Sequence, residues 1–250
     1  MKKYLHFLIL ILFFSCQKDT QIGGGSTTGT GGSLARFTIV NDMMYVVTTD
    51  SLKTFSVSNT LDPRLINAQR IGWNEAGDIE TIFAFNNRLF IGSRTGMFLY
   101  SFKSGGVPKF EGQFQHTWGC DPVVANDTLA FVTLRNGRTC NAGLLEANEL
   151  HVLDVKDVNY PKLLKTYPMT YPAGLGLDGK TLFVCDDGIR IFDISNPLSM
   201  AQINYLPKID ALDVIPAYGT LMIIGEKKLT QLDYRDLKNI KTISEFDLRY

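Results

Sequence analysis

The sequence predicts an all-β protein made of one unit repeated five times, and three observations predict it. First, the stretch LHVLDVKDVNYPKLLKTY from Leu150 recurs in weaker form. The copies are IRIFDISNPLSMAQINYL from Ile189, LTQLDYRDLKNIKTISEF from Leu229, LKTFSVSNTLDPRLINAQ from Leu52 and MFLYSFKSGGVPKFEGQF from Met97. Second, each copy follows two apolar segments joined at a turn, for example RFTIVNDMMYVVTT and GLGLDGKTLFVCDD. Third, Val, Ile, Phe, Thr and Tyr dominate these segments, and none keeps a helical period for more than two turns.

Each unit therefore reads as four antiparallel strands in a row. The first two are joined at Asn41-Asp42, Asn86-Asn87, Asn126-Asp127, Asp178-Gly179 and Tyr218-Gly219, where positive φ or side-chain turn bonds are wanted. The third strand ends at Ser56, Ser101, Asp154, Asp193 and Asp233, at spacings of 45, 53, 39 and 40 residues. That is the length of a propeller blade, and the long second interval marks an insertion at Arg135 to Glu149. A lone blade exposes two apolar faces, whereas five in a ring bury each face against the next. The expectation is a five-bladed β-propeller of four-stranded antiparallel blades over residues 34–250, closed by packing of blade five on blade one.

The aspartates at 154, 193 and 233 sit at one repeat position, where a short acid accepts backbone N–H bonds of the following turn. Pro63, Pro108 and Pro161 each lie seven residues after the repeat's Ser or Asp, and their fixed φ shapes the turn into the outer strand. Both sets are scaffold.

Ahead of the repeats, Lys2 and Lys3 precede the apolar run LHFLILILFF from Leu5, which ends at Ser15 and Cys16. A basic segment, an apolar segment and a small residue make a secretory signal over residues 1–16. The run stops well short of the roughly 20 apolar residues that span a bilayer. FFSC resembles the lipobox of bacterial lipoproteins, and the resemblance implies acylation of Cys16, with Phe13 departing from the usual leucine. Residues 17–33, with QIGGGSTTGTGGS from Gln21, hold almost nothing to bury and are expected to form a flexible tether.

With 25 basic and 25 acidic residues the chain lacks the basic face that nucleic acid requires. Export places Cys120, Cys140 and Cys185 where thiols pair. A Cys120–Cys140 disulfide is favoured, and the sequence leaves pairing with Cys185 open. His116 with these cysteines would offer zinc ligands, but no close Cys-x-x-Cys pair supports a metal. One rim, built from the connections between blades and the second-to-third strand turns, collects Trp73, Glu80, His116, Trp118, Asp121, Arg135, Tyr171 and Asp186. Aromatic rings beside an arginine and carboxylates suit a sugar or a peptide, although Trp73 and Trp118 could equally plug gaps between blades. A hydrolase would need paired carboxylates around the channel mouth. Glu80 and Asp121 fall at equivalent positions, but Asp213 falls one residue away, where the pleat turns its side chain to the other face.

The repeated LHVLDV, IRIFDI and LTQLDY, with the DVNYP and SNP turns that follow, resemble the LVIVD-repeat proteins of bacterial and archaeal cell surfaces. The resemblance is strongest over the last three units, since Ser56 and Ser101 replace the aspartate in the first two. It implies a β-propeller, an envelope address, a role in adhesion or binding, and no catalytic residues. The combined expectation is a lipid-anchored, non-enzymatic module at the outer membrane, on its periplasmic side or at the surface, with no cofactor and a glycan or protein ligand. A carbohydrate-active hydrolase and a periplasmic scaffold subunit are the alternatives.

Overall fold

The computed structural model describes residues 31–72, 78–103, 106–116, 119, 122–135 and 148–249. Cys16, Trp73, Trp118, Cys120, Asp121 and Cys140 lie outside the described residues. Blade one comprises β1 (Phe37–Val40), β2 (Met43–Val47), β3 (Ser51–Ser56) and β4 (Arg64–Arg70). Blade two comprises β5 (Ile79–Phe85), β6 (Arg88–Ser93), β7 (Gly96–Ser101) and β8 (Lys109–Gln115). β9 (Val123–Ala125), β10 (Leu129–Leu134), β11 (Glu149–Asp154) and β12 (Lys162–Pro168) make blade three. β13 (Pro172–Asp178), β14 (Thr181–Asp186), β15 (Ile189–Asp193) and β16 (Ala201–Leu206) make blade four. Blade five holds β17 (Asp213–Ala217), β18 (Thr220–Ile224), β19 (Lys228–Asp233) and β20 (Lys241–Asp247). Every sheet is a four-stranded antiparallel meander in chain order, so the protein is a five-bladed β-propeller.

The hairpins form where the turn residues allow them. Asn41, Asn86, Tyr218 and Gly179 have φ of 54°, 51°, 51° and 55°, the left-handed values that two-residue loops demand. The loop in blade four is Gly179-Lys180, one residue later than the sequence suggested, because Asp178 still pairs with Thr181. Blade three solves the turn differently, with the Asn126 carboxamide accepting the N–H groups of Thr128 and Leu129.

Each third strand ends as the repeat predicts. Asp154, Asp193 and Asp233 accept the N–H of Lys156, Ser195 and Arg235 at 3.0, 2.8 and 3.0 Å. A second such turn follows three residues later in four blades, from Asn59, Asp157, Asn196 and Asp236 to the N–H two residues on. All five blades also carry a bulge at one place on the third strand. It falls between Thr54 and Phe55, Leu99 and Tyr100, Val152 and Leu153, Ile191 and Phe192, and Gln231 and Leu232. One extra residue on each outer strand increases the local twist, and the outermost strands β4, β8, β12, β16 and β20 are largely exposed or half-buried.

The core consists of four apolar clusters, one at each of four seams. Tyr45, Leu52, Leu89 and Phe98 fill the seam between blades one and two, and Phe90, Val123, Val132 and Leu153 that between two and three. Phe131, Leu150, Leu175 and Val184 join blades three and four, and Phe183, Ile191, Val214 and Ile223 join four and five. At about 25 cal/mol per Å2 of apolar surface removed from water, these clusters are what hold the blades together. Among the described residues no fifth cluster joins blades five and one. Closure by packing of blade five on blade one, expected from the sequence, is therefore corrected. The stretch just before β1 closes the ring instead, and the sequence offered no sign of it because Gly and Ser there have nothing apolar to bury.

Candidate functional site

The innermost strands surround a channel of about 250 Å3, with Thr38, Phe83, Val124, Leu175 and Val214 on its wall. Gly31 and Gly32 also line it, so the segment leading into β1 runs across one end of the channel. Ser33 there is fully buried. Its hydroxyl donates to Asp213 Oδ1 at 2.9 Å and accepts the Leu175 N–H at 2.8 Å. The Leu34 N–H donates to Asp213 Oδ2 at 3.1 Å, and the Ile82 N–H to the Ala35 carbonyl at 2.8 Å. Gly31 to Ala35 thus bolts blades two, four and five across the mouth, and the last three residues of the expected tether belong to the fold.

Glycine is required where this bolt passes. A Cβ on Gly32 or Gly174 would collide with the Asp213 carboxylate. Burial pushes that carboxyl above its ordinary range, although Leu34, Ser33 and Val214 all donate to it.

The described acids of the rim expected from the sequence are bonded to scaffold groups. Glu80 accepts from Arg94 Nε at 3.2 Å, while Arg94 Nη1 reaches Asp78 at 3.1 Å. Asp186, expected on the binding face, is fully buried. Its oxygens accept the N–H groups of Thr170 and Tyr171 and the Arg190 guanidinium, the last at 2.7 Å. It fixes the connection between blades three and four and is not available to a ligand. Asp210 does the same in blade five, accepting the N–H groups of Glu226 and Lys227 at 3.1 and 2.7 Å.

The remaining polar and aromatic residues of the rim lie over blades three and four, and of these the Tyr171 ring is exposed. The Arg135 guanidinium carbon stands 4.9 Å from the centre of the Tyr171 ring, a cation–π distance, and Tyr171 is 51% exposed. Asn148 donates to the Thr170 carbonyl at 2.9 Å beside them. His116 and His151 stand edge to face with ring centres 6.3 Å apart, and His151 Nε2 lies 2.7 Å from Glu149 Oε2. Burial lowers the His151 pKa, against the Glu149 contact that raises it. Sequence reasoning named Arg135, Tyr171 and His116 but missed Glu149 and His151, which sit inside the repeated strand LHVLDV or beside it and read there as ordinary strand residues.

Cys185 lies in the core between blades four and five with a free thiol, and burial pushes its pKa well up. It is the one cysteine among the described residues, so the pairing expected of Cys120 and Cys140 lies outside them. His116 packs at a different seam, against Phe114 and His151. Among the described residues no group of three His, Cys, Asp or Glu is placed to hold a metal ion, and no helix is long and apolar enough to cross a membrane.

The arrangement defines the chain as a β-propeller with a plugged channel and a polar, aromatic rim. Solved structures agree on the fold. A Lactobacillus plantarum protein superposes with a TM-score of 0.61 at 12% identity, over 83% of this chain and 73% of that one. A functionally unknown protein from Desulfotomaculum acetoxidans gives 0.62 at 12% identity, over 89% and 69%. Citrobacter koseri AztD gives 0.56 at 11%, over 88% of this chain and 62% of its own length. No protein-family model matches the sequence, and no curated protein matches it.

Proposed function

We propose that this propeller is a lipid-anchored binding or adhesion module of the bacterial envelope, of the LVIVD-repeat type, and that it performs no catalysis. The observation that carries the reading is the division of labour among its polar residues. Glu80, Asp186, Asp210 and Asp213 are engaged with groups of the scaffold, while the Tyr171 ring is half exposed with the Arg135 guanidinium on its face. A glycosidase needs two carboxylates flanking one bond; of the pair the sequence offered, Glu80 is bonded to Arg94 and Asp121 lies outside the described residues. A tyrosine ring with a guanidinium on its face suits a sugar ring or a peptide side chain. The balanced charge argues against nucleic acid.

The signal segment and Cys16 support the anchor and the outer-membrane address. Protease treatment of intact cells, with a periplasmic protein as leakage control, separates the two sides of that membrane. Loss of the protein favours adhesion at the surface, and protection favours a periplasmic scaffold. Glycan and host-protein arrays probed with wild type and Tyr171→Ala test the binding face. Binding unaffected by Tyr171→Ala and Arg135→Ala overturns this assignment of the site.

A further inference from the structure

Among the described residues, the seam between blades one and five is a groove of about 620 Å3. Leu34, Phe37 and Ile39 form one wall, and Leu212, Ile215 and Ile224 the other. Phe37 and Ile224 are 55% and 44% exposed, so large apolar side chains of a kind that the other seams bury face solvent here. The polar side chains on the groove are Asp213, already bonded to Ser33 and Leu34, and the buried Thr38.

That chemistry selects among occupants. A peptide laid in the groove would bring backbone N–H and C=O groups that apolar walls leave unsatisfied. A second copy would present a like hollow, not a ridge that fills this one. An unbranched hydrocarbon chain brings no polar groups at all.

We propose that the groove holds an acyl chain carried on the protein's own Cys16, an inference that rests on the lipid-anchor reading above. The polypeptide enters the fold at this place, since Gly31 and Gly32 line the groove. Gly31 lies fifteen positions after Cys16, a reach of at most about 50 Å. Occupation is then intramolecular, with an effective concentration on the order of mM for a short connection. An acyl chain outside a bilayer fills the seam as side chains fill the other four, and one inserted in a bilayer leaves it open.

The test uses the full-length protein from cells fed a fatty acid bearing a diazirine. The monomeric fraction is exchanged out of detergent and irradiated, and cross-linked peptides are mapped by mass spectrometry. The expected result is the diazirine-bearing acyl mass on the Cys16 peptide and cross-links to peptides containing β1 and β17 to β18. Those cross-links should be lost in Ile39→Trp and Ile224→Trp, which fill the groove from opposite walls and are checked for wild-type circular dichroism. Wild-type cross-links on other surfaces overturn the seam as the acyl site and leave the anchor standing. Absence of any acyl mass on Cys16 overturns the anchor and the occupant together.

Discussion

Ser33→Ala tests whether the segment before β1 closes the ring. The hydroxyl is fully buried, donates to the Asp213 carboxylate and accepts the Leu175 N–H. Its removal deletes a hydrogen bond to a charged group and leaves a buried backbone N–H without its partner, each worth roughly 1–3 kcal/mol. Allowing for partial relaxation, the loss is about 3 kcal/mol. For a domain of this size about 2–4 °C of Tm follows each kcal/mol, so the melting temperature should fall by roughly 6–12 °C. Thermal unfolding of purified wild type and variant measures it, with Ser58→Ala as the control, since Ser58 Oγ meets only the Ser56 hydroxyl on the exposed surface. A second reading comes from limited proteolysis, in which the variant should be cut more readily near Ser33. A Tm within about 1 °C of wild type, less than a surface substitution can produce, with unchanged proteolysis, would refute the bolt.

Gly176→Ala places a Cβ 2.5 Å from Pro216 Cδ and 2.8 Å from the Val214 carbonyl, so it should force blades four and five apart. A loss of about 1–3 kcal/mol in urea unfolding is expected, and wild-type stability would show that the two inner strands can shift freely. Burial raises the Asp213 carboxyl; its stability contribution is complete below the ordinary carboxylate value of about 3.9 and is lost as pH rises through the raised folded value. Melting curves of wild type and Asp213→Asn should therefore move in the variant's favour as pH rises above about 4, and a difference independent of pH contradicts this. His151 has the opposite sign: burial lowers its pKa, so stability present above about 6.5 is lost on acidification, and His151→Phe should flatten that fall in the same melting series. Cys185 should resist iodoacetamide in the native protein and react after unfolding, because its thiol is 1% exposed and held protonated by burial; native labelling would place it elsewhere.

The repeat made most of the fold legible. Alternating Val, Ile and Phe between Asn, Asp and Gly turns gives the strands and hairpins, and the aspartates at 154, 193 and 233 give the turn that ends each third strand. These are local bonds, made between residues two or three apart, and local bonds leave a pattern in the sequence. The five bulges left none, because Ile66, Glu111, Leu164, Ile203 and Ile243 share only their place on the outer strand. The site was less legible for a related reason. Asp186 and Tyr171 were both assigned to the rim, but whether an acid points at solvent or at the N–H groups of its neighbours depends on the loop's path. Ser33 and Asp213 meet across 180 positions, and nothing in a run of Gly, Ser and Thr announces such a partner.

The bolt and the open seam follow from one cause. A repeat encodes the face that meets its successor, so blades one to five fill four seams by repetition, and the fifth contact falls outside what repetition supplies. Blade one buries Tyr45, Val47 and Leu52 toward blade two, and its other face carries Phe37 and Ile39, which stay exposed. Blade five buries Leu221 and Ile223 toward blade four and leaves Ile224 exposed. Hydrogen bonds at the mouth can hold these two blades near each other, because a buried, charge-assisted bond is directional. They cannot fill the space behind it, since filling requires apolar volume. Among the described residues the ring is closed by polar contacts at its inner edge and is unfilled farther out, and that separation is what makes the seam able to accept a hydrocarbon without disturbing the propeller.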